Sequence, residues 1–226
     1  MDAATCASPA GAVPHLTAVP ASPLDRRWNV LPRLAVANYH PRSSTHRPDV
    51  QVQLGHSGDH LHLRFTVHDR FVRSRATGFN ARVCNDSCVE FFFEPVPGLG
   101  YFNLEMNAGG AVLCYHITDA RRTADGFAAY APLSADELGT ITIASTLPAV
   151  VDPEISGPLD WSLSAHIPLA PFARRLGRDL PVPGRWRGNF FKCADHSSHP
   201  HWASWMPVGA ALNFHQPERF GDLVLG

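Results

Sequence analysis

Apolar and polar residues alternate in short runs along most of this chain. In Val50–Leu54 valine and leucine alternate with glutamine, and in Leu61–Val67 the apolar residues alternate with histidine, arginine and threonine. A period of two places the apolar side chains on one face of a β-strand and the polar ones on the other. Further strands are predicted at Val89–Glu94, Tyr101–Asn107, Ala111–Ile117, Thr140–Thr146, Trp161–Ile167, Arg187–Cys193 and Asp222–Leu225.

Little of the chain has a helical pattern. A short helix is predicted only at Pro171–Leu176, and the proline-bearing ranges 148–158 and 181–184 are predicted to be surface loops. The 20 prolines and 17 glycines stand between the apolar runs, which is typical of short strands joined by turns. The fold class is therefore predicted to be all-β, a single antiparallel β-sandwich of jelly-roll or immunoglobulin-like type with one short helix.

The N-terminal residues have a different composition. Residues 1–24 are rich in alanine, proline, serine and threonine, which predicts a flexible extension. Folded structure is expected to start near Asp25–Trp28, and the domain is expected to span residues 25–226. No basic segment followed by an apolar core begins the chain, so the sequence predicts a cytoplasmic protein, or a secreted one if the true start lies upstream.

Charge and cysteine content exclude several classes of protein. The 19 basic and 20 acidic residues nearly cancel, so no general attraction to nucleic acid or to an anionic membrane is expected. No apolar run reaches the ~18 residues of a membrane span. The number of cysteines, five, is odd and they are widely spaced, so we expect no disulfide among Cys6, Cys84, Cys88, Cys114 and Cys193.

Two predicted strands carry unusual polar faces. In Tyr101–Asn107 the phenylalanine, leucine and methionine share one face, and the residues of the other face are Tyr101, Asn103, Glu105 and Asn107. In Val89–Glu94 the corresponding face carries Glu90 with Phe92. Such a row of hydrogen-bonding groups suits a polyhydroxylated ligand, although a solvated outer face has the same pattern. A phenylalanine among carboxylates favours a groove.

The C-terminal third of the chain contains further candidate residues. Trp202 and Trp205 lie in a loop-like sequence, where tryptophans either cover the core or present flat apolar faces to sugar rings. Lys192, the single lysine, lies on a predicted strand, and we expect it to pair with Glu90 or Glu105.

Metal binding is a weaker hypothesis. Imidazoles at the spacing of His196, His199 and His201 are able to bind zinc or copper, but no surrounding carboxylate or cysteine pattern completes a site. Three aspartates could supply oxygen ligands to a structural calcium ion, namely Asp69, Asp86 and Asp195. The sequence otherwise predicts no metal and no cofactor.

Four segments in order carry a family resemblance. They are Asp86–Phe92, Tyr101–Asn107, Asp160–Leu169, and a C-terminal series that runs from Trp186–Phe190 through Ser204-Trp205 to Phe220–Leu223. With these segments the chain resembles the carbohydrate-binding module family 9-like proteins, a β-sandwich group within the wider DOMON-like fold. The resemblance extends over about residues 25–225.

The resemblance implies sugar binding, and the leading hypothesis is a carbohydrate-binding protein without catalytic activity. The resemblance implies binding of a mono- or oligosaccharide, or of a glycan chain end, between aromatic rings, with carboxylate, amide and basic side chains contacting the hydroxyls. Glu90 stands at the acidic position of the family, and Trp205 or Trp202 stands where a stacking tryptophan is expected. The better-known sugar-binding members have a second tryptophan a few residues before the Asp-Ser motif. Residues 81–85 contain no aromatic residue here, so Phe79 or Tyr101 would have to replace it, or the ligand differs.

Two other functions remain open. Glu90 and Glu105 on neighbouring strands could act as the carboxylate pair of a glycosidase, or the chain could be an accessory module of carbohydrate catabolism. Haem or redox binding occurs in other DOMON-like proteins, but Met106 is predicted to point into the core. The candidate ligand-binding residues are Glu90, Tyr101, Asn103, Glu105, Asn107, Lys192, Trp202 and Trp205.

Overall fold

Strands make up most of the regular structure in the computed structural model, which describes residues 10–124 and 126–226. In chain order they are β1 (Gly11–Val13), β2 (Leu34–Ala35), β3 (Asn38–Tyr39), β4 (Asp49–His56), β5 (His60–Asp69), β6 (Val72–Ser74), β7 (Cys88–Glu94), β8 (Tyr101–Asn107), β9 (Val112–Thr123), β10 (Gly126–Pro132), β11 (Thr142–Ser145), β12 (Val151–Ile155), β13 (Leu159–Pro168), β14 (Gly184–Cys193), β15 (Trp202–Ser204) and β16 (Gly221–Leu225). The α-helices are α1 (Ala135–Leu138) and α2 (Ala170–Leu176), and 3-10 turns lie at Arg26–Val30, Val83–Asn85 and Pro217–Arg219.

The strands form a larger and a smaller sheet. The larger sheet has the order β1-β16-β14-β7-β8-β9-β10, with β15 joining β14 to β3. The smaller sheet has the order β11-β13-β5-β4-β2, and β12 pairs with β6 in a separate ribbon. Apart from β1, which runs parallel to β16, the pairs among these strands are antiparallel. The predicted antiparallel β-sandwich is confirmed.

The main core lies between the two sheets. Alternate residues of β7 enter it, so Phe91 and Phe93 are fully buried there and their rings stack with centroids 4.8 Å apart. Phe65 of β5 meets Phe190 of β14 edge to face across the core. The opposite faces of β7, β8 and β14 are left outside this core, which positions the site described below.

The helix predicted at Pro171–Leu176 is confirmed as α2, but the expectation of one helix is wrong. The short helix α1 begins after Ser134, whose side chain accepts from the backbone of Glu137 while the Glu137 carboxylate accepts from the backbone of Ser134. This reciprocal capping satisfies free backbone donors and stabilises a helix that has too few residues to show an apolar period.

Regular structure starts earlier than the sequence predicted. Gly11–Val13 form β1 at the edge of the larger sheet, and Val13 is buried in the core. Leu16 packs with Trp28 and Leu31 in a separate apolar cluster. The expected start near Asp25 is therefore wrong for residues 10–24, because the backbone of β1 pairs with the last strand of the chain. Residues 1–9 lie outside the described part.

Other expectations concern the loops and cysteines. The range 148–158, predicted to be a loop, contains β12, which pairs with β6 despite its proline. Cys84, Cys88, Cys114 and Cys193 are free thiols, as expected, and Cys6 lies outside the described residues. Within the described part of the chain, no helix is both long and apolar enough to cross a membrane.

Candidate functional site

The outer face of the larger sheet carries a cleft of about 860 Å³. Its floor consists of outward-facing residues of β7, β8, β9 and β14, which are Glu90, Asn103, Glu105, Leu113, Tyr115 and Cys193. These residues alternate along each strand with residues of the main core. The strand period that builds the sandwich therefore also presents this polar row on the opposite face.

The walls of the cleft have three parts, which are formed by four chain segments. One part consists of residues around the turn at Val83–Asn85 and of the segment from Asp195 to Trp202. The second part is the β9–β10 hairpin, which contributes Arg122, Phe127 and Tyr130. The third part is the segment 212–215, which includes Phe214 and His215. The walls thus combine aromatic rings with charged side chains, as binding sites for small polar ligands commonly do.

Trp202 is held in a fixed orientation at the edge of the cleft. Its indole Nε1 donates a hydrogen bond to Asp195 Oδ1 at 2.7 Å. The backbone amide of Asp195 in turn donates to the carbonyl of Cys84 at 3.0 Å, which ties the two wall segments together. The half-buried indole is therefore positioned before any ligand arrives.

Glu90 and Glu105 form a buried carboxyl pair on the floor. They are directly opposite each other in the β7–β8 register, and they are 2% and 7% exposed. Burial, followed by the neighbouring charge of Glu105, raises the pKa of Glu90 well above its usual value. Burial also raises the pKa of Glu105. A carboxyl group that keeps its proton both donates and accepts hydrogen bonds, which suits sugar hydroxyls.

Asn103 connects this pair to the neighbouring strand. Its Nδ2 donates to Glu105 Oε1 at 2.8 Å, and its Oδ1 accepts from the Tyr115 backbone amide at 2.8 Å. These contacts fix the side-chain amide and one Glu105 oxygen. The floor is therefore a preorganised set of hydrogen-bonding groups.

The structure brings four of the predicted site residues together. Glu90, Asn103, Glu105 and Trp202 line the cleft. Tyr101 lies behind it, buried, and its hydroxyl is 2.8 Å from Nδ1 of the lining residue His215.

Asn107 supports a turn instead of the cleft. It is buried, and its Nδ2 donates to Asp86 Oδ2 at 2.9 Å and to the carbonyl of Ala76 at 2.8 Å. These contacts join the end of β8 to the chain before β7. Asn107 is not among the residues that line the cleft.

The expected partners of Lys192 are wrong. In the β14–β7 register Lys192 is opposite Val89, and Phe191 is opposite Glu90. The lysine therefore faces the interior of the sandwich, where Nζ lies 3.6 Å from Asp69 Oδ2 and 2.9 Å from His201 Nε2. It neutralises an aspartate between the sheets and does not line the cleft.

The expected position of Trp205 is also wrong. Trp205 is 8% exposed and belongs to the main core, with its ring centroid 5.7 Å from that of Phe190. The backbone amide of Trp205 donates to the carbonyl of Phe190, which holds the residue on the sheet. Of the two candidate tryptophans, Trp202 alone lines the cleft.

The candidate metal ligands of the sequence do not converge. His196 lines the cleft, His199 stacks on Phe71 with centroids 3.6 Å apart, and His201 is buried beside Lys192. The aspartates have separate partners, which are Lys192 and His46 for Asp69, Arg73 for Asp86, and Trp202 for Asp195. Among the described residues, the group whose ligand atoms lie close enough for a metal is Cys88, Glu90 and Cys193.

Several residues that line the cleft could not be identified, or were not indicated, by the sequence pattern. Of these residues, Tyr115 could most easily have been found from the sequence, because it lies in a predicted strand on the face opposite Cys114. Arg122, Phe127 and Tyr130 belong to a hairpin whose second strand, β10, contains alanines and shows no clear alternation. Phe214 and His215 lie outside regular structure, so no periodicity could have indicated them.

Comparison with known proteins agrees with this architecture. The model of carbohydrate-binding family 9 matches residues 26–225. A crystal structure of a protein from Bacteroides uniformis, proposed to bind carbohydrate, is 28% identical with a TM-score of 0.85, and the match covers 97% of this chain and 100% of that one. No curated protein matches the sequence.

Two more distant structures share the fold. Both are family 9 carbohydrate-binding modules from Caldicellulosiruptor kristjanssonii. The complex with glucose is 14% identical, with a TM-score of 0.63 and coverage of 96% of each chain. The complex with cellotriose is 17% identical, with a TM-score of 0.60 and coverage of 96% of this chain and 93% of that one.

Proposed function

This chain belongs to carbohydrate-binding family 9, and we propose that it is a non-catalytic protein that binds a mono- or oligosaccharide, or a glycan chain end, in the cleft above Glu90 and Glu105. The observation that carries the proposal is the buried carboxyl–amide floor beside a tryptophan of fixed orientation. A sugar ring has hydroxyls at its edge and C–H groups on its faces. The floor and the indole match these two surfaces.

In this proposal Trp202 provides the stacking surface, and the other rings of the cleft take the place of the second tryptophan of the better-known sugar-binding members. Tyr115 and Tyr130 lie with their ring centroids 5.2 Å apart, and Phe127 lies 4.4 Å from His215. These rings line the same cleft as Trp202. Glu90, Asn103 and Glu105 contact the hydroxyls.

The expected affinity is modest. Each hydrogen bond to a hydroxyl replaces one to water and contributes only ~0.5–1.5 kcal/mol. Burial of a sugar face contributes about 25 cal/mol per Å², and association costs several kcal/mol. Dissociation constants in the micromolar to millimolar range are therefore expected.

Calorimetric titration with glucose and cellotriose, followed by a wider panel of saccharides, tests the proposal. We expect Trp202→Ala to weaken binding of the saccharide that binds by at least about tenfold, or 1.4 kcal/mol, because the stacking surface is removed. The matched control is Phe79→Ala, which removes an aromatic ring that is 49% exposed and lies outside this cleft. Unchanged affinity in Trp202→Ala would place the site elsewhere, and no binding of any saccharide by the wild type would contradict the proposal.

One observation favours a hydrolytic alternative. Glu90 and Glu105 face each other on the floor, and a protonated carboxyl group is what a glycosidase uses as its general acid. Release of reducing sugar by the wild type, lost in Glu90→Gln, would support hydrolysis. Binding without release of reducing sugar supports the non-catalytic proposal.

A further inference from the structure

Two thiols and a carboxyl group converge at the floor of the cleft. Cys88 and Cys193 are directly opposite each other in the β7–β14 register, on the same outer face of the sheet as Glu90. Their sulfur atoms and a Glu90 oxygen all lie within 4.8 Å of one another. The Cys193 Sγ is 3.1 Å from Glu90 Oε1, and all three side chains are buried.

From this geometry we propose that Cys88, Cys193 and Glu90 form a binding site for a thiophilic divalent cation such as Zn²⁺ or Cd²⁺. Thiolates select soft or borderline cations, and a carboxylate commonly completes their coordination. Around tetrahedral zinc, with Zn–S of about 2.3 Å and Zn–O of about 2.1 Å, the ligand atoms stand roughly 3.5 Å apart. The three ligand atoms, which lie within 4.8 Å of one another, are close to this spacing.

The surroundings of the site give the ion access from solvent and provide a fourth ligand position. Cys193 and Glu90 line the cleft directly, so an ion reaches them from solvent. Cys84 lines the same cleft, and it packs in one apolar cluster with Cys88 and Cys193. A fourth ligand is therefore either the Cys84 thiol or a water molecule in the cleft.

The proton and charge balance of the site is simple. The ion displaces one proton from each of the two thiols and one from Glu90 if that group is protonated, and these protons leave to solvent. The bound state then combines a charge of about +2 on the ion with three anionic ligands. No oxidant or other reactant is needed. A cross-strand disulfide would use the same two sulfurs but would give no role to the Glu90 carboxylate.

The test is titration of the reduced, metal-free, full-length protein with Cd²⁺, followed by the sulfur-to-cadmium charge-transfer absorption. We expect saturation at about one equivalent. Cys88→Ser and Cys193→Ser are expected to abolish the absorption, and Glu90→Gln to weaken binding by about tenfold or more. Cys114→Ser is the matched control, because Cys114 is also a buried free thiol but faces the main core on the other side of the sheet.

Loss of the absorption in Cys114→Ser, or its persistence in Cys88→Ser and Cys193→Ser, would overturn the proposal. If the serine variants fail to fold, cadmium NMR of the wild type decides the question. Two or three sulfur ligands support the site, and a cadmium ion without sulfur ligands overturns the proposal. The proposal is also overturned if the reduced wild-type protein binds neither Cd²⁺ nor Zn²⁺ when these ions are present in excess over the protein. The outcome is independent of the saccharide titrations, which are carried out on metal-free protein.

Discussion

At the scale of single residues, the parity of side chains along a strand determines which environment each enters. Glu90, Asn103 and Glu105 were correctly predicted to share a polar face, because both neighbours of each residue in the sequence are apolar. Lys192 was misplaced because its neighbours Phe191 and Cys193 are both apolar, so the sequence does not show which face it takes. Its pairing opposite Val89 settles the question.

Lys192→Met is expected to lower the free energy of unfolding strongly. The substitution would leave the Asp69 carboxylate, which is 1% exposed, without its cation between the sheets. Burial by itself raises the pKa of Asp69, but Lys192 and His46 hold this pKa below its usual range. Loss of one partner of a buried pair costs about 3–5 kcal/mol, measurable by urea denaturation.

The matched control for that substitution is Arg185→Met. Arg185 pairs with Asp222 at 2.8 Å, but the two side chains are 65% and 35% exposed. Pairs of this kind contribute about 0–1 kcal/mol. Equal losses of unfolding free energy in the two variants would show that Lys192 is not needed to compensate the charge of the buried aspartate.

A histidine pair on β5 and β13 predicts loss of stability in mild acid. His62 and His166 lie opposite each other with their Nδ1 atoms 2.7 Å apart. Burial, together with His166, lowers the pKa of His62 to about 4, against about 6.5 in the unfolded chain. As the pH falls, the unfolded state therefore binds a proton at His62 before the folded state does. The contribution of neutral His62 to stability is complete above about pH 6.5 and is lost as the pH falls toward 4.

Urea denaturation between about pH 4 and pH 7 measures this effect. We expect His62→Asn to reduce the pH dependence of stability in this window, since asparagine does not titrate. The other buried histidines remain in the variant and keep their own contributions. An identical pH dependence in the two proteins would contradict the prediction.

At the scale of whole elements, most strands of four or more residues were predictable, and those of two or three residues were not. The strands β5, β8 and β14 appear in the sequence as alternating or apolar runs, and they lie where they were predicted. The strands β2, β3 and β15 have two or three residues each, too few for a period of two to be recognised. Pairing with the long strands β4 and β14 stabilises β2 and β15, and β3 in turn pairs with β15.

The strand β1 provides a test at this scale. Val13 is 1% exposed and β1 pairs with β16, so removal of residues 1–13 uncovers the edge of the larger sheet. The loss of one buried valine alone costs about 1.5–3 kcal/mol. Thermal unfolding should show a lower midpoint than in a control that lacks residues 1–9 only. Equal midpoints would show that β1 does not contribute to stability.

At the scale of the whole molecule, the sandwich and the cleft depend on different information. The sandwich follows from repeated alternation, because each strand must bury one face. The walls of the cleft come from segments far apart in the chain, around residues 82–85, 122–130, 195–202 and 212–215. Their approach depends on strand order in the larger sheet, which no local pattern records.

The sequence by itself determined the class of fold, the polar face of β7 and β8, and the resemblance that identifies the family. Only the tertiary structure decided that Trp202 lines the cleft while Trp205 enters the core, that Lys192 compensates Asp69, and that Cys88 meets Cys193. The physical reason is that alternation is a local property, set by the strand geometry at each residue. Register and the packing of loops are set by contacts between residues that are distant in sequence.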